Sequence, residues 1–204
     1  MFSTKNESFI GYYKNGKISN ENKFVPSGLL YESKVDQDFK IKVLEISYDL
    51  KIDPNKLMTV MALESGQSFK SNIQNSQGAQ AFGLIQFTNN AVKQMNKIYK
   101  YQDKLTLNDT TSSKNLTSMS SVQQLDYVRD YVNMYSNKNL NTITDFYMMI
   151  FCPKAIGKPE DYQLYTHTRD SVSYWQNTGY DKNKDSIITK QEASQDIIRL
   201  YMKK

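Results

Sequence analysis

The sequence predicts a mainly α fold. Apolar residues recur at spacings of three and four along several stretches, and one segment, 53–66, carries helix signals at both ends. No stretch shows the sustained apolar–polar alternation of a half-buried strand. With 39% hydrophobic and 23% charged residues, and only 4 Pro and 8 Gly, the composition is that of a packed protein, not a disordered one. A chain of 204 residues suffices for one domain with a core, or one domain with a small appendage.

Residues 1–35 are polar and aromatic without a sustained period and read as a lead-in packed through Phe9, Tyr12, Tyr13 and Phe24. From Asp36, an N-cap candidate, Phe39, Val43, Ile46 and Leu50 fall on one helical face. The next helix is expected over 54–65. Asp53 offers its carboxylate to the free amides of the first turn, and Pro54 sits where a missing N–H costs nothing. Gly66 suits the left-handed residue that ends a helix. Leu57, Met58, Val60, Met61 and Leu63 make this helix apolar on most sides, which predicts burial. Residues 66–88 read as loop, and Thr88 or Asn89 caps a helix through Ala91, Val92, Met95 and Ile98. Residues 102–120, rich in Asn, Ser, Thr and Asp, read as a long loop. Ser120 and Ser121 precede Gln123 and Gln124 at capping-box spacing, and Val122, Leu125, Val128 and Val132 form the stripe that follows. Thr142 or Thr144 caps a short apolar helix ending before Pro153, and further helices are expected over 160–176 and 191–202. There is no internal repeat.

Several classes are excluded or unsupported. No run approaches the roughly 18 apolar residues of a membrane span. The opening Met1-Phe2-Ser3-Thr4-Lys5-Asn6-Glu7 has no basic region followed by an apolar run, so no signal peptide is expected. Cys152 is the one cysteine, and its setting, Met148-Met149-Ile150-Phe151-Cys152-Pro153, is that of a buried, inert thiol despite the presence of His167. The net charge of +5 favours anionic partners, but the basic residues are scattered and not interleaved with aromatics, so nucleic-acid binding has no support beyond charge.

Glu64 shares a helical stripe with Leu57, Val60 and Met61. Packing that stripe strips water from the carboxylate, and the negative end of the helix acts in the same sense. Both favour a carboxylic acid that keeps its proton near neutrality and can protonate a departing oxygen. Helix glutamates are more often solvated, so the pattern alone leaves both outcomes open.

The ordered set Ala62-Leu63-Glu64-Ser65-Gly66-Gln67-Ser68-Phe69, then Gly78-Ala79, then Gly83-Leu84-Ile85-Gln86-Phe87 resembles the soluble lytic transglycosylase and goose-type lysozyme superfamily, in its phage-associated branch. The resemblance covers residues 37–165 and is concentrated in 62–88. It implies a lysozyme-like helical domain with a sugar-binding cleft over 36–165, preceded by the lead-in 1–35. It makes Glu64 the catalytic acid and base, and sets Gln86 in the cleft with Ser65, Gly83 and Phe87 beside it. Gly83 would let backbone approach closely there. The family carries an Ala-Tyr-Asn-Ala-Gly stretch on a later helix. Here 146–157 stands in its place, with Tyr147 somewhat N-terminal of the expected register; Tyr147 is either a cleft residue or a core aromatic.

Glycoside hydrolases use two carboxylates, whereas lytic transglycosylases, as the resemblance implies, use one glutamate twice. It protonates the oxygen between N-acetylmuramic acid and N-acetylglucosamine, then takes the proton of the muramyl C6 hydroxyl, which closes on C1 to give a 1,6-anhydro product. Only Glu64 is well placed in the motifs, which favours this reaction. A hydrolytic lysozyme remains the alternative should Asp103, Asp109 or Asp145 reach the site, and a non-catalytic virion or cell-wall-binding protein is a third reading. The expected partners are peptidoglycan glycan strands and other virion proteins, with delivery by the virion or release to the host wall.

Within 166–204, residues 181–192 resemble an EF-hand calcium loop within a helix-loop-helix. Oxygen ligands fall at positions one, three and five (Asp181, Asn183, Asp185), a carbonyl at seven (Ile187), Thr189 at nine and Glu192 at twelve, with Ile188 as the apolar plug. Position six is Ser186 where Gly is usual, which weakens binding without forbidding it. A single loop implies structural Ca2+, not a sensor.

Overall fold

The computed structural model describes residues 28–74 and 80–203 and the backbone of 13–14 and 17–18; Phe9, Tyr12, Phe24, Gly78 and Ala79 lie outside the described residues. The protein is mainly helical, with short antiparallel strand pairs. It divides into two compact units, Met1–Tyr131 and Val132–Lys204. The division does not fall at 165/166, because the short apolar helix near 143–151 packs on the last helix, and a strand at 163–166 pairs with a strand at 187–189. Residues 132–165 thus share their core with the C-terminal segment.

In the first unit, β1 (Tyr13–Lys14) and β2 (Lys17–Ile18) form a hairpin with Tyr13 opposite Ile18. Helix α1 (Gln37–Leu50) begins at Asp36, whose carboxylate accepts the Phe39 N–H, and it buries Phe39, Val43 and Ile46. Helix α2 (Pro54–Glu64) begins at Asp53 and Pro54 as the sequence predicts, buries Leu57 through Ala62, and packs against α1. Its one buried hydroxyl, on Thr59, donates to the Asn55 carbonyl and so enters the core satisfied. β3 (Ala81–Phe82) and β4 (Phe87–Thr88) form a hairpin over the turn 83–86. Thr88, not Asn89, caps α3 (Asn89–Tyr99) by accepting the Ala91 N–H.

The stretch 102–120 is a loop, pinned by buried Leu105, Leu107 and Leu116 and by a bridge between Thr106 and Asn115. Helix α4 (Ser121–Asn133) opens on a reciprocal capping box: the Ser120 N–H donates to the Gln123 side chain, and the Gln123 N–H to the Ser120 hydroxyl.

In the second unit, Thr142 caps α5 (Ile143–Phe151), which is buried from Thr144 to Met149. The helix expected over 160–176 does not form. Residues Gln163–Thr166 are strand β5, antiparallel to β6 (Ile187–Thr189), and only α6 (Ser171–Gln176) is helical. The Tyr162 and Glu160 carbonyls accept the Lys190 and Gln191 N–H groups, so partners far along the chain hold this segment extended. Helix α7 (Lys190–Tyr201) begins with a capping box of Thr189 and Glu192 and packs on α5. Lys190 and Asp145 form a buried ion pair at 2.7 Å. Cys152 is buried, which pushes its thiol up, away from the reactive thiolate, as its setting predicts. No helix among the described residues is long and apolar enough to cross a membrane.

Candidate active site

Glu64 is the last residue of α2. Gly66, at φ 57°, closes the helix in a Schellman turn: the Gln67 N–H donates to the Ala62 carbonyl at 2.7 Å and the Gly66 N–H to that of Leu63 at 3.3 Å. Left-handed backbone continues at Gln67 and Phe69, both non-glycine. Such strained residues cluster at functional sites and persist only where neighbours over-determine them. Ser65 supplies that constraint. Its hydroxyl donates to the Met61 carbonyl at 2.6 Å and accepts the Phe69 N–H at 3.0 Å. Ser65 is 2% exposed, so it is a helix-end latch and not the sugar contact expected from the sequence.

The Glu64 carboxyl has no hydrogen bond or ion pair to any described residue. Protein crowds it while the residue keeps partial access to solvent, and burial alone pushes its pKa from 4.5 up to about 8. Burial, more than the helix end, carries this shift, since the last carbonyls of α2 already have N–H or hydroxyl partners. A reachable carboxylic acid, protonated at neutrality and unpaired, can donate a proton.

The turn 83–86 follows. Gly83 has φ 84°, and a Cβ there would stand 2.3 Å from the Gln124 Oε1, so the close approach is to Gln124. Gln86 is also left-handed, at φ 52°, and 8% exposed. Its Nε2 donates to the Ile73 carbonyl at 3.2 Å and the Gly83 carbonyl at 3.1 Å, whereas its buried Oε1 has no partner among the described residues. This orientation of the amide is fixed, because exchanging the two atoms would set an oxygen against two carbonyls. Gln86 thus presents an unsatisfied acceptor, a group whose burial is costly until a donor arrives. Phe87, 1% exposed, packs edge-on against Tyr131. It is a core residue, corrected from the expected substrate contact.

The other carboxylates are exposed or committed. Asp103 is exposed. Asp109 is an exposed loop residue held below its usual range by the Thr111 hydroxyl and N–H, at 2.7 and 2.9 Å. Asp145 is buried, which alone would raise it. The Lys190 ammonium, the Gly157 N–H and the Thr142 hydroxyl outweigh that and hold it low. A groove of about 530 Å³ in the first unit is lined by Phe82, Asn89, Asn96, Leu105, Thr106 and Asp109 among others; Glu64 does not line it. Tyr147 belongs to the second unit. It is 1% exposed, stacks on Phe151 and lies 3.3 Å from the Tyr180 hydroxyl, which makes it a core aromatic.

In the loop 181–192, Ser186 adopts the left-handed conformation, φ 69°, at the position where glycine is usual, and Ile188 is fully buried. Asp181 accepts the Asp185 and Ser186 N–H groups and the Tyr174 hydroxyl, which holds it below its usual range. The Glu192 oxygens accept the Lys182 N–H at 3.2 Å and the Thr189 hydroxyl at 2.7 Å. Among the described residues, no group of three or more His, Cys, Asp or Glu side chains is drawn together tightly enough to hold a metal. Here backbone, hydroxyl and Asn183 amide donors satisfy the loop's carboxylates. The oxygen-only donor set and the left-handed turn at Ser186 are of the kind calcium takes, and Asp181, Asn183, Asp185, Thr189, Glu192 and the Ile187 carbonyl are the groups that would hold it.

No protein-family model and no curated protein matches the sequence.

Proposed function

We propose that this chain is a peptidoglycan lytic transglycosylase in which Glu64 acts first as acid and then as base. The observation that carries the proposal is the Glu64 carboxyl, reachable, without a partner among the described residues and pushed to about 8 by burial. It gives its proton to the glycosidic oxygen between N-acetylmuramic acid and N-acetylglucosamine as the bond to C1 breaks. The resulting carboxylate takes the proton of the muramyl C6 hydroxyl, whose oxygen bonds to C1. The proton count closes, no water enters, and the product is the 1,6-anhydro sugar. Gln86 Oε1 meets a donor on the glycan, a hydroxyl or acetamido N–H, and so gains the partner it lacks among the described residues.

The hydrolytic alternative needs a second free carboxylate. The engagement of Asp145 by Lys190 and of Asp109 by Thr111 weighs against it. Calcium in the loop 181–192 would fasten α7 to the rest of its unit and plays no part in the chemistry. The virion or the host wall remains the proposed setting, on the sequence resemblance alone.

Mass spectrometry of material released from purified sacculi tests the reading. Anhydro-muramyl ends, absent with Glu64→Gln, are expected. Reducing ends, heavier by one water, would make the protein a lysozyme, and no release would leave a wall-binding protein.

A further inference from the structure

Gln124 lies in the first turns of α4, where the sequence suggests only a role at the helix start. Its side chain is instead fully buried and reaches backbone on three other segments. Nε2 donates to the Ser71 carbonyl at 3.0 Å and the Leu116 carbonyl at 2.9 Å, and Oε1 accepts the Leu84 N–H at 2.7 Å. The last bond matters most. The Leu84 N–H and the Gly83 carbonyl belong to one planar peptide group. That carbonyl accepts both the Gln86 N–H at 3.2 Å and Gln86 Nε2 at 3.1 Å. Gln124, the Gly83–Leu84 peptide and the Gln86 carboxamide therefore form a single series of hydrogen bonds, each polarising the next. The series ends at Gln86 Oε1, the buried acceptor without a partner among the described residues.

The seat admits little else. It presents one N–H and two carbonyls, so it requires one acceptor and two donors on a side chain of this length. A carboxylate would oppose two carbonyl oxygens, asparagine falls a methylene short, and the missing Cβ of Gly83 is what lets the carboxamide lie against the turn. Neighbouring bonds tighten the same junction: the Ser121 hydroxyl donates to the Phe69 carbonyl at 2.7 Å, and that of Ser71 to the Met119 carbonyl at 2.6 Å. The start of α4 thereby ties down the strained segment after Glu64 and the turn bearing Gln86 together.

Resting on the glycan-binding reading above, we infer that Gln124 is a positioning residue, acting through the Gly83–Leu84 peptide to fix the Gln86 carboxamide in the orientation that the glycan meets. A double-mutant cycle on the full chain tests this, with purified sacculi as substrate and the half-saturating concentration and maximal rate measured separately. Gln124→Met should raise the half-saturating concentration about tenfold with little change in maximal rate, and should change it less than about twofold in a Gln86→Ala background. Equal losses in both backgrounds would make Gln124 merely structural and overturn the inference while leaving the glycan reading intact. A wild-type chain that neither binds nor cleaves sacculi would overturn that reading, and this inference with it. Should Gln124→Met fail to fold, judged by near-UV circular dichroism, Gln124→Asn runs the same cycle with the carboxamide retained but withdrawn from Leu84.

Discussion

Glu64→Gln keeps the shape of the side chain and removes its proton equilibrium. In the folded chain the carboxyl titrates at about 8, against an ordinary value of 4.5. The folded form therefore holds this proton more tightly than the unfolded chain does. The stability so contributed is complete below pH 4.5 and is lost as pH rises toward 8. At about 1.36 kcal/mol for each tenfold change in proton affinity, the wild type gives up about 3 kcal/mol between pH 4.5 and neutrality, and about 1 kcal/mol more by pH 8. Partial contact of the residue with solvent trims these figures. The variant carries no such dependence. Melting curves of the two proteins should converge near pH 4.5 and separate at neutrality by about 6–12 °C, with the variant the more stable. Its activity on sacculi should fall by about 10²–10⁴-fold, the usual contribution of a general acid. Parallel melting curves, offset equally at every pH, would mean that Glu64 titrates as a solvated carboxylate, and the acid assigned to it would be lost.

Gly83→Ala drives a methyl into the Gln124 carboxamide at a left-handed residue, and should cost about 2–3 kcal/mol in urea denaturation; an unchanged midpoint would contradict the close approach. Calcium at about a hundred times its dissociation constant should stabilise the protein by about 3 kcal/mol relative to chelator, and Asp185→Ala should abolish the difference; equal melting temperatures with calcium and chelator would remove the ion from the account. Ser186→Gly relieves about 1 kcal/mol of left-handed strain and should raise stability by about that much in urea denaturation, whereas an unchanged midpoint would deny that serine is strained there. Lys190→Met strands the buried Asp145 carboxylate and should destabilise by about 3–5 kcal/mol, recovered in part by adding Asp145→Asn; a neutral single variant would mean the pair is solvated.

The elements legible in the sequence are those whose signals are local. Asp53, Pro54 and Gly66 mark α2 because caps and turns act within a few residues, and the spacing of Phe39, Val43 and Ile46 marks the buried face of α1 for the same reason. Strand β5 has no local signal of that kind. Its four residues are held by β6, more than twenty positions later, so a short polar–aromatic segment reads as helix until its partner is known. At the candidate site the resemblance singled out Glu64 and Gln86, but it could not say which neighbours face the ligand. Ser65 and Phe87 turn inward to close the helix end and the core. Gln124 did leave a trace: it stands four residues before Val128, on the apolar stripe of α4, where a polar side chain must find partners. What the sequence withholds is their identity, since Ser71 and Leu84 lie 53 and 40 positions away. Lys190 hides in the same way, its partner Asp145 being 45 positions distant.

Calcium loops of this kind work in pairs when two of them lie side by side and each braces the other. In this protein the strand that pairs with β6 of the loop 181–192 is β5. Calcium uptake there, as proposed, would be a solitary event. Occupancy should follow a plain hyperbola, passing from one tenth to nine tenths over about an eighty-fold range of free ion, as mass action at a lone site requires. A response that gradual suits a fastener that stays shut wherever calcium is abundant, and is too shallow to report small changes in its concentration.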